Sequence, residues 1–179
     1  MGEPRVLEDH LLCEGRRVKL FKRLVSWKGR VFEKDLVAFG RSVVIVPVLG
    51  DGRVVFVKQW RAPVGRWVVE LPAGRVESGE DLRSAALREL EEETGYRASR
   101  IVELGRAYVS PGYSDELITV FLAKGLEKVG AHPEEGEVLE VVELAPREYI
   151  EMCTAGECDL KSLAALLLYF NRGRWFCGS

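Results

Sequence analysis

Along the chain, apolar and polar positions separate into short stretches of period near two and a few of period near 3.6. Residues 18–39 alternate loosely and are broken by Lys28-Gly29, as in strands joined by a turn. Residues 42–49 form a β-branched run with Pro47 near its end. Gly50-Asp51-Gly52 predicts a hairpin turn, with residues 54–60 completing the pair. Residues 66–71 read as another short strand leading into Pro72-Ala73-Gly74. Leu82, Ala85, Ala86 and Leu90 then recur at helical spacing and predict a helix over 80–94. Ser78, with Asp81 three residues later, reads as a capping box. Acids near the first turn suit the helix dipole, and Gly95 sits where a left-handed C-terminal cap is wanted. Residues 101–104, 117–123 and 139–144 are strand candidates, and helices are predicted near 146–155 and 161–170. Strands around helices without a regular βαβ rhythm predict a mixed sheet in a sandwich. No internal repeat or low-complexity tract interrupts it.

Length and composition add bounds. A chain of 179 residues, 47% hydrophobic and 30% charged, is enough for one globular domain with a small appendage. The 26 Lys and Arg against 28 acids, a net charge of -2, give no bulk electrostatic reason to bind nucleic acid or membrane. No apolar run approaches the roughly 20 residues that span a bilayer, and Met-Gly-Glu-Pro-Arg-Val lacks a secretory apolar region, so a cytoplasmic location is expected. Cys13, Cys153, Cys158 and Cys177 show no Cys-x-x-Cys pair and no histidine at zinc spacing. Reduced thiols are the default in a cytosol. Yet a single Gln (Gln59), a single Asn (Asn171) and abundant Arg and Glu resemble the composition of thermophile proteins, whose cytosolic members carry disulfides.

The predicted helix carries Glu89, Glu91, Glu92 and Glu93 with no lysine among them. Glu89 lies three residues from Glu92 and four from Glu93, and like charges at that spacing cost about 0.2–0.5 kcal/mol per pair. A hard divalent cation would offset the repulsion, since magnesium takes oxygen ligands from one or two carboxylates plus substrate phosphates. The alternative is a solvated acidic face.

Spacing separates the two. Gly74, five residues, Glu80, seven residues, then Arg88-Glu-Leu-x-Glu-Glu-x-Gly95 resembles the Nudix box of the Nudix hydrolases. Tyr96 stands where the family has Ile, Leu or Val, so local repacking is expected there. The resemblance implies an α/β/α sandwich over residues 42–179. Residues 1–41 resemble the N-terminal antiparallel β extension of the ADP-ribose pyrophosphatase subgroup, which implies a homodimer. Glu70-Leu-Pro-Ala-Gly74, Lys58-Gln-Trp-Arg61, the loop Ser110-Pro-Gly-Tyr-Ser-Asp-Glu116 with Pro111 sixteen residues beyond Gly95, and Glu134-Glu-Gly-Glu-Val-Leu-Glu-Val-Val142 resemble that subgroup as well.

The resemblance implies magnesium (or manganese) held by Glu89, Glu93 and the Ala73 carbonyl. Glu92 ligates a second ion or orders the shell, and Glu137 is a candidate extra ligand. Glu135 is the candidate base, with Glu134 and Glu137 as alternatives. Arg61 has the fork suited to phosphate, and Glu70 could accept from a ribose hydroxyl. Pro111 marks the substrate loop, and Trp27, with Phe32 as the alternative, is the candidate to stack on adenine. Trp60, Trp67, Phe121 and Phe170 read as core, and Trp175 as core or dimer contact. His10 and His132 lack a partner nucleophile and read as surface residues. Glu80 and Arg88, about two turns apart on a helix, are not given a direct pair by spacing; the resemblance implies that both brace the loop and helix. The implied activity is magnesium-dependent hydrolysis of ADP-ribose to AMP and ribose 5-phosphate. Alternatives are another nucleoside diphosphate sugar, a diadenosine polyphosphate, or a binding module that senses ADP-ribose without cleaving it.

Overall fold

The computed structural model describes residues 2–131, 138–156 and 158–172. The chain divides into two units, Met1–Arg41 with Ala107–Ile118, and Ser42–Arg106 with Thr119–Ser179. In the first unit β1 (Arg5–Glu14), β2 (Lys19–Trp27) and β3 (Arg30–Ala38) form an antiparallel sheet in that order. Lys28 and Gly29 both have positive φ (50° and 73°), the backbone a tight hairpin requires, and they set the register from Trp27↔Arg30 to Lys19↔Ala38. β1, which the loose alternation did not single out, is exposed along its whole length. The segment after Val109 turns on hydrogen bonds from the Tyr113 and Ser114 amides to the Ser110 carbonyl. Asp115 then accepts from the Phe39 and Gly40 amides (2.7 and 3.0 Å).

The second unit contains two sheets. One takes β5 (Val54–Arg61), β6 (Arg66–Glu70) and β10 (Leu139–Leu144) in the order β10-β5-β6. The other takes β4 (Arg41–Pro47), β7 (Ala73–Arg75), β8 (Tyr96–Tyr108) and β9 (Leu117–Lys128) in the order β7-β4-β9-β8. The hairpin expected at residues 50–52 is therefore corrected. The turn forms, with Leu49 donating to the Arg53 carbonyl, but beyond the bridge Val48↔Val54 its strands enter different sheets. Pro47 ends β4 and has no N–H to extend a ladder.

Burial explains the continuous apolar run of β5. Val55 joins a cluster with Ala85, Ala86 and Leu90 of α1 (Leu82–Thr94), together with Val43, Ile45, Ile101, Phe121 and Ala123. The next residue, Phe56, stacks on Tyr149 of α2 (Pro146–Thr154) at 4.4 Å. A strand covered by helices on both faces reads as unbroken apolar sequence. With α3 (Leu160–Asn171), this is an α/β fold of helices and strands in layers.

α1 starts two residues later than expected, and its cap is Asp81 rather than Ser78. The Asp81 carboxylate accepts from the Arg83 and Ser84 amides (2.9 and 3.1 Å), and no acid occupies the first turn. Gly95 ends the helix with φ 70°, its amide bonded to the Glu91 carbonyl. Only glycine fits there: a Cβ would come within 2.6 Å of the Ala131 nitrogen. Tyr96 repacks its position by burying its ring in the α1 cluster while its hydroxyl donates to Glu143 at 2.6 Å. Among the aromatics read as core, Phe121 is buried, but Trp60, Trp67 and Phe170 are exposed. Trp60 and Trp67 face each other across β5 and β6 on a strand pair that ends at solvent. Cys153 and Cys158 form a disulfide, and Cys13 is a free, exposed thiol. No helix among the described residues is long and apolar enough to cross a membrane.

Candidate active site

β7 is three residues long, and each of them meets α1. The Ala73 amide donates to Glu93 Oε2 (3.0 Å). Gly74 leaves the space in which the Glu89 carboxyl lies; a Cβ there would collide with it. The Arg75 carbonyl accepts from Arg88 Nη2 (3.1 Å). Pairing with β4 through Val44↔Ala73, Val43↔Gly74 and Ser42↔Arg75 fixes the strand from its other edge. Glu89 and Glu93, one helical turn apart, are thus both brought to one short strand, with Glu93 buried and the Glu89 side chain 12% exposed.

Arg88 is the hub of the loop and helix. Its Nε and Nη2 donate to the two oxygens of Glu80 (3.0 and 3.1 Å), and its Nη1 donates to Glu89 (2.8 Å) and Glu92 (3.0 Å). The pair that helical spacing left open exists because Glu80 lies outside α1, in a loop that folds back along it. Glu80 also accepts from the Glu77 amide (3.0 Å). The Arg88 guanidinium holds the Glu80 carboxyl below the usual carboxylate range, and the three carboxylates raise Arg88 in turn. So part of the repulsion among the glutamates is offset by a resident side chain, which the charge pattern alone did not reveal.

Glu89, Glu92 and Glu93 present only oxygen donors, the chemistry a hard divalent cation prefers. Among the described residues, no three acidic, histidine or cysteine side chains converge into a complete cage. A cation at β7 would therefore draw on backbone carbonyls, water or phosphate oxygens, as magnesium commonly does. Glu135, Glu137 and His132 lie outside the described residues, as does Trp175.

Arg61 and Glu70 are brought together from neighbouring strands. Arg61 Nε and Nη2 donate to the two oxygens of the buried Glu70 (2.7 and 2.8 Å), so the pair is bidentate. Lys161 Nζ lies 3.9 Å from Glu70 Oε2. Periodicity gave no sign of Tyr149, Asp159, Lys161 and Ser162 behind this pair, because they come from helices about 90 residues away in sequence. In the first unit, Trp27 is 41% exposed; its indole N–H donates to the Gly2 carbonyl, and Lys28 lies over its ring. Phe32 is half-buried, Pro111 is exposed, and His10 is exposed and paired with Glu8.

The chain is similar to several known proteins over most of its length. It is 33% identical over 168 residues to the ADP-ribose pyrophosphatase of Bacillus subtilis (strain 168), covering 92% of this chain and 91% of that one. It is 36% identical over 152 residues to the methanol dehydrogenase activator of Bacillus methanolicus (83% and 82% covered). It is 34% identical over 168 residues to the ADP-sugar pyrophosphatase of Mus musculus (83% and 77% covered). A crystal structure of an ADP compounds hydrolase shares the fold, with a TM-score of 0.80 at 19% identity and 97% of each chain covered. A NUDIX domain model matches residues 38–163, the span that holds β7, α1 and the Arg61–Glu70 pair, and the chain belongs to the Nudix family.

Proposed function

We propose that this Nudix pyrophosphatase hydrolyses ADP-ribose to AMP and ribose 5-phosphate with a divalent cation, magnesium in the first instance. The observation that carries the proposal is the contact of all three β7 residues with Glu93, Glu89 and Arg88. The names and coverage of the bacterial and murine pyrophosphatases support the substrate class.

The oxygens of Glu89, Glu93 and the Ala73 carbonyl would hold the cation, with Glu92 and Glu137 as further ligands. When bound, it would neutralise the linked phosphates and acidify a water. The chain's own residues position. Arg88 restrains Glu89 and Glu92 together, and Gly74 leaves room for the Glu89 carboxyl beside the strand. Arg61 engages Glu70 through Nε and Nη2, which leaves Nη1 to donate to a phosphate oxygen. Glu70 holds the guanidinium plane from its buried position, and a ribose hydroxyl seated beside Arg61 would be a further donor to it. Glu135 takes the base role from its place in the acidic loop. Trp27 stacks on adenine and Pro111 shapes the substrate loop. The exposed β1 pairs with a second copy to form a homodimer.

The test is incubation with magnesium and a panel of nucleoside diphosphate derivatives, scored for AMP. Preferential cleavage of ADP-ribose is expected. Cleavage without preference would widen the substrate to nucleoside diphosphate sugars or diadenosine polyphosphates, and no cleavage of any compound would leave a binding module. Glu89→Gln and Glu135→Gln are each expected to lower kcat by about 10²-fold or more, with ADP-ribose still bound.

A further inference from the structure

The end of β6 is gripped by a segment that has no part in the proposed chemistry. Cys158 bridges Val69 in parallel register. Tyr149 Oη donates to the Val69 carbonyl (3.2 Å). Lys161 Nζ lies 3.9 Å from Glu70 Oε2 and 3.8 Å from Asp159 Oδ2. The Leu71 amide donates to Ser162 Oγ (2.7 Å). Three consecutive residues, Val69, Glu70 and Leu71, are therefore held by residues 158–162 and Tyr149. They run through Pro72 straight into β7.

That segment is itself under tension between burial and charge. Asp159 caps α3 by accepting from the Ser162 amide (3.1 Å), but its buried Oδ2 has no hydrogen-bond partner among the described residues and only Lys161 Nζ, at 3.8 Å, to balance its charge. A buried carboxylate in that state costs free energy unless its neighbours are held in place. The element that holds them is covalent: the Cys153–Cys158 disulfide ties the end of α2 to the residue before Asp159. The loop it closes has a sequence separation of only 5, so it removes less chain entropy than a long-range bridge would. Opening it should loosen residues 158–162 before it unfolds the domain.

We propose that the Cys153–Cys158 disulfide is a redox-sensitive lock on Val69–Leu71 and, through Lys161, on the Arg61–Glu70 pair, opened by a dithiol reductant. The effect on catalysis rests on the placement of Arg61 and Glu70 against the substrate. Opening is thiol–disulfide exchange. A thiolate of the dithiol attacks one cysteine Sγ and breaks the Sγ–Sγ bond, and its second thiol displaces that cysteine. Two electrons and two protons pass to Cys153 and Cys158, and the reductant leaves as its own disulfide. Lys161 is a positioning residue: it acts through Glu70, and its loss should weaken substrate binding more than turnover.

The experiment uses the full chain carrying Cys13→Ser and Cys177→Ser, so that Cys153 and Cys158 are the only thiols. It is compared oxidised and in excess dithiothreitol. Alkylation and intact mass report the bond, amide exchange over residues 69–73 reports the lock, and ADP-ribose hydrolysis reports the site. Reduction should add two alkylations, speed exchange at Leu71, and raise KM about three- to tenfold with kcat within about twofold. Lys161→Met should raise KM in the oxidised chain, and Lys161→Arg should restore it. The absence of a bond in the oxidised chain, or exchange and KM that are the same in both states, would overturn the lock. Faster exchange on reduction with no ADP-ribose cleaved in either state would uphold the lock and reject the substrate instead.

Discussion

Gly74 shows how a residue with no functional group shapes a site. Its φ is not in the left-handed region, so alanine is compatible with the backbone; what alanine would displace is the Glu89 carboxyl. A flexible side-chain end moves cheaply, so Gly74→Ala should leave the melting temperature within ~2 °C while lowering kcat by roughly 10²-fold. A thermal melt beside a rate measurement separates the two effects. Arg88 is the opposite case, a charged residue whose first task is structural. It depresses the Glu80 carboxyl below its ordinary 4.5. A depressed acid contributes stability above its unfolded value, and that contribution is lost as the pH falls through the folded value. The melting temperature should therefore drop as the pH is taken below 4.5. Glu80→Gln should start lower at neutral pH and drop less, and a Glu80→Gln curve parallel to wild type would contradict this account. Spacing showed that Glu80 and Arg88 belong to one motif, but not that they touch, because the contact depends on a loop path that helical geometry does not describe.

At the scale of elements, α1 was readable because its apolar positions repeat locally and Gly95 marks its end. Its start was less so, since Ser78 and Asp81 both have the chemistry of a cap and only the backbone path chooses between them. Asp81→Ala should cost about 1 kcal/mol by denaturant titration, and Ser78→Ala within ±0.5 kcal/mol of nothing. β7 escaped the pattern because three residues following Pro72 are too few to show a period. Local sequence does give the turn at residues 50–52, but not the sheet each flanking strand joins. That choice rests on partners such as Gln59↔Leu139 and Val43↔Gly74, which lie far along the chain.

On the scale of the whole molecule, β1 offers Val6, Leu7, Leu11 and Leu12, each more than half exposed, on a strand with one edge unpaired among the described residues. Such an edge invites pairing. The full chain should sediment as a dimer, and a chain starting near Gly40 as a monomer; monomeric behaviour of both would remove the dimer from the proposal. The chemical class of this protein was set by its sequence alone, because glycine, arginine and glutamates at fixed offsets around one helix are a local pattern, complete within residues 74–95. Tertiary structure alone decided which carboxylates share Arg88, that Arg61 and Glu70 engage each other, and that Cys153 pairs with Cys158 behind them. Those outcomes turn on the path of the folded chain, on burial and on strand order, and local periodicity carries no term for any of them.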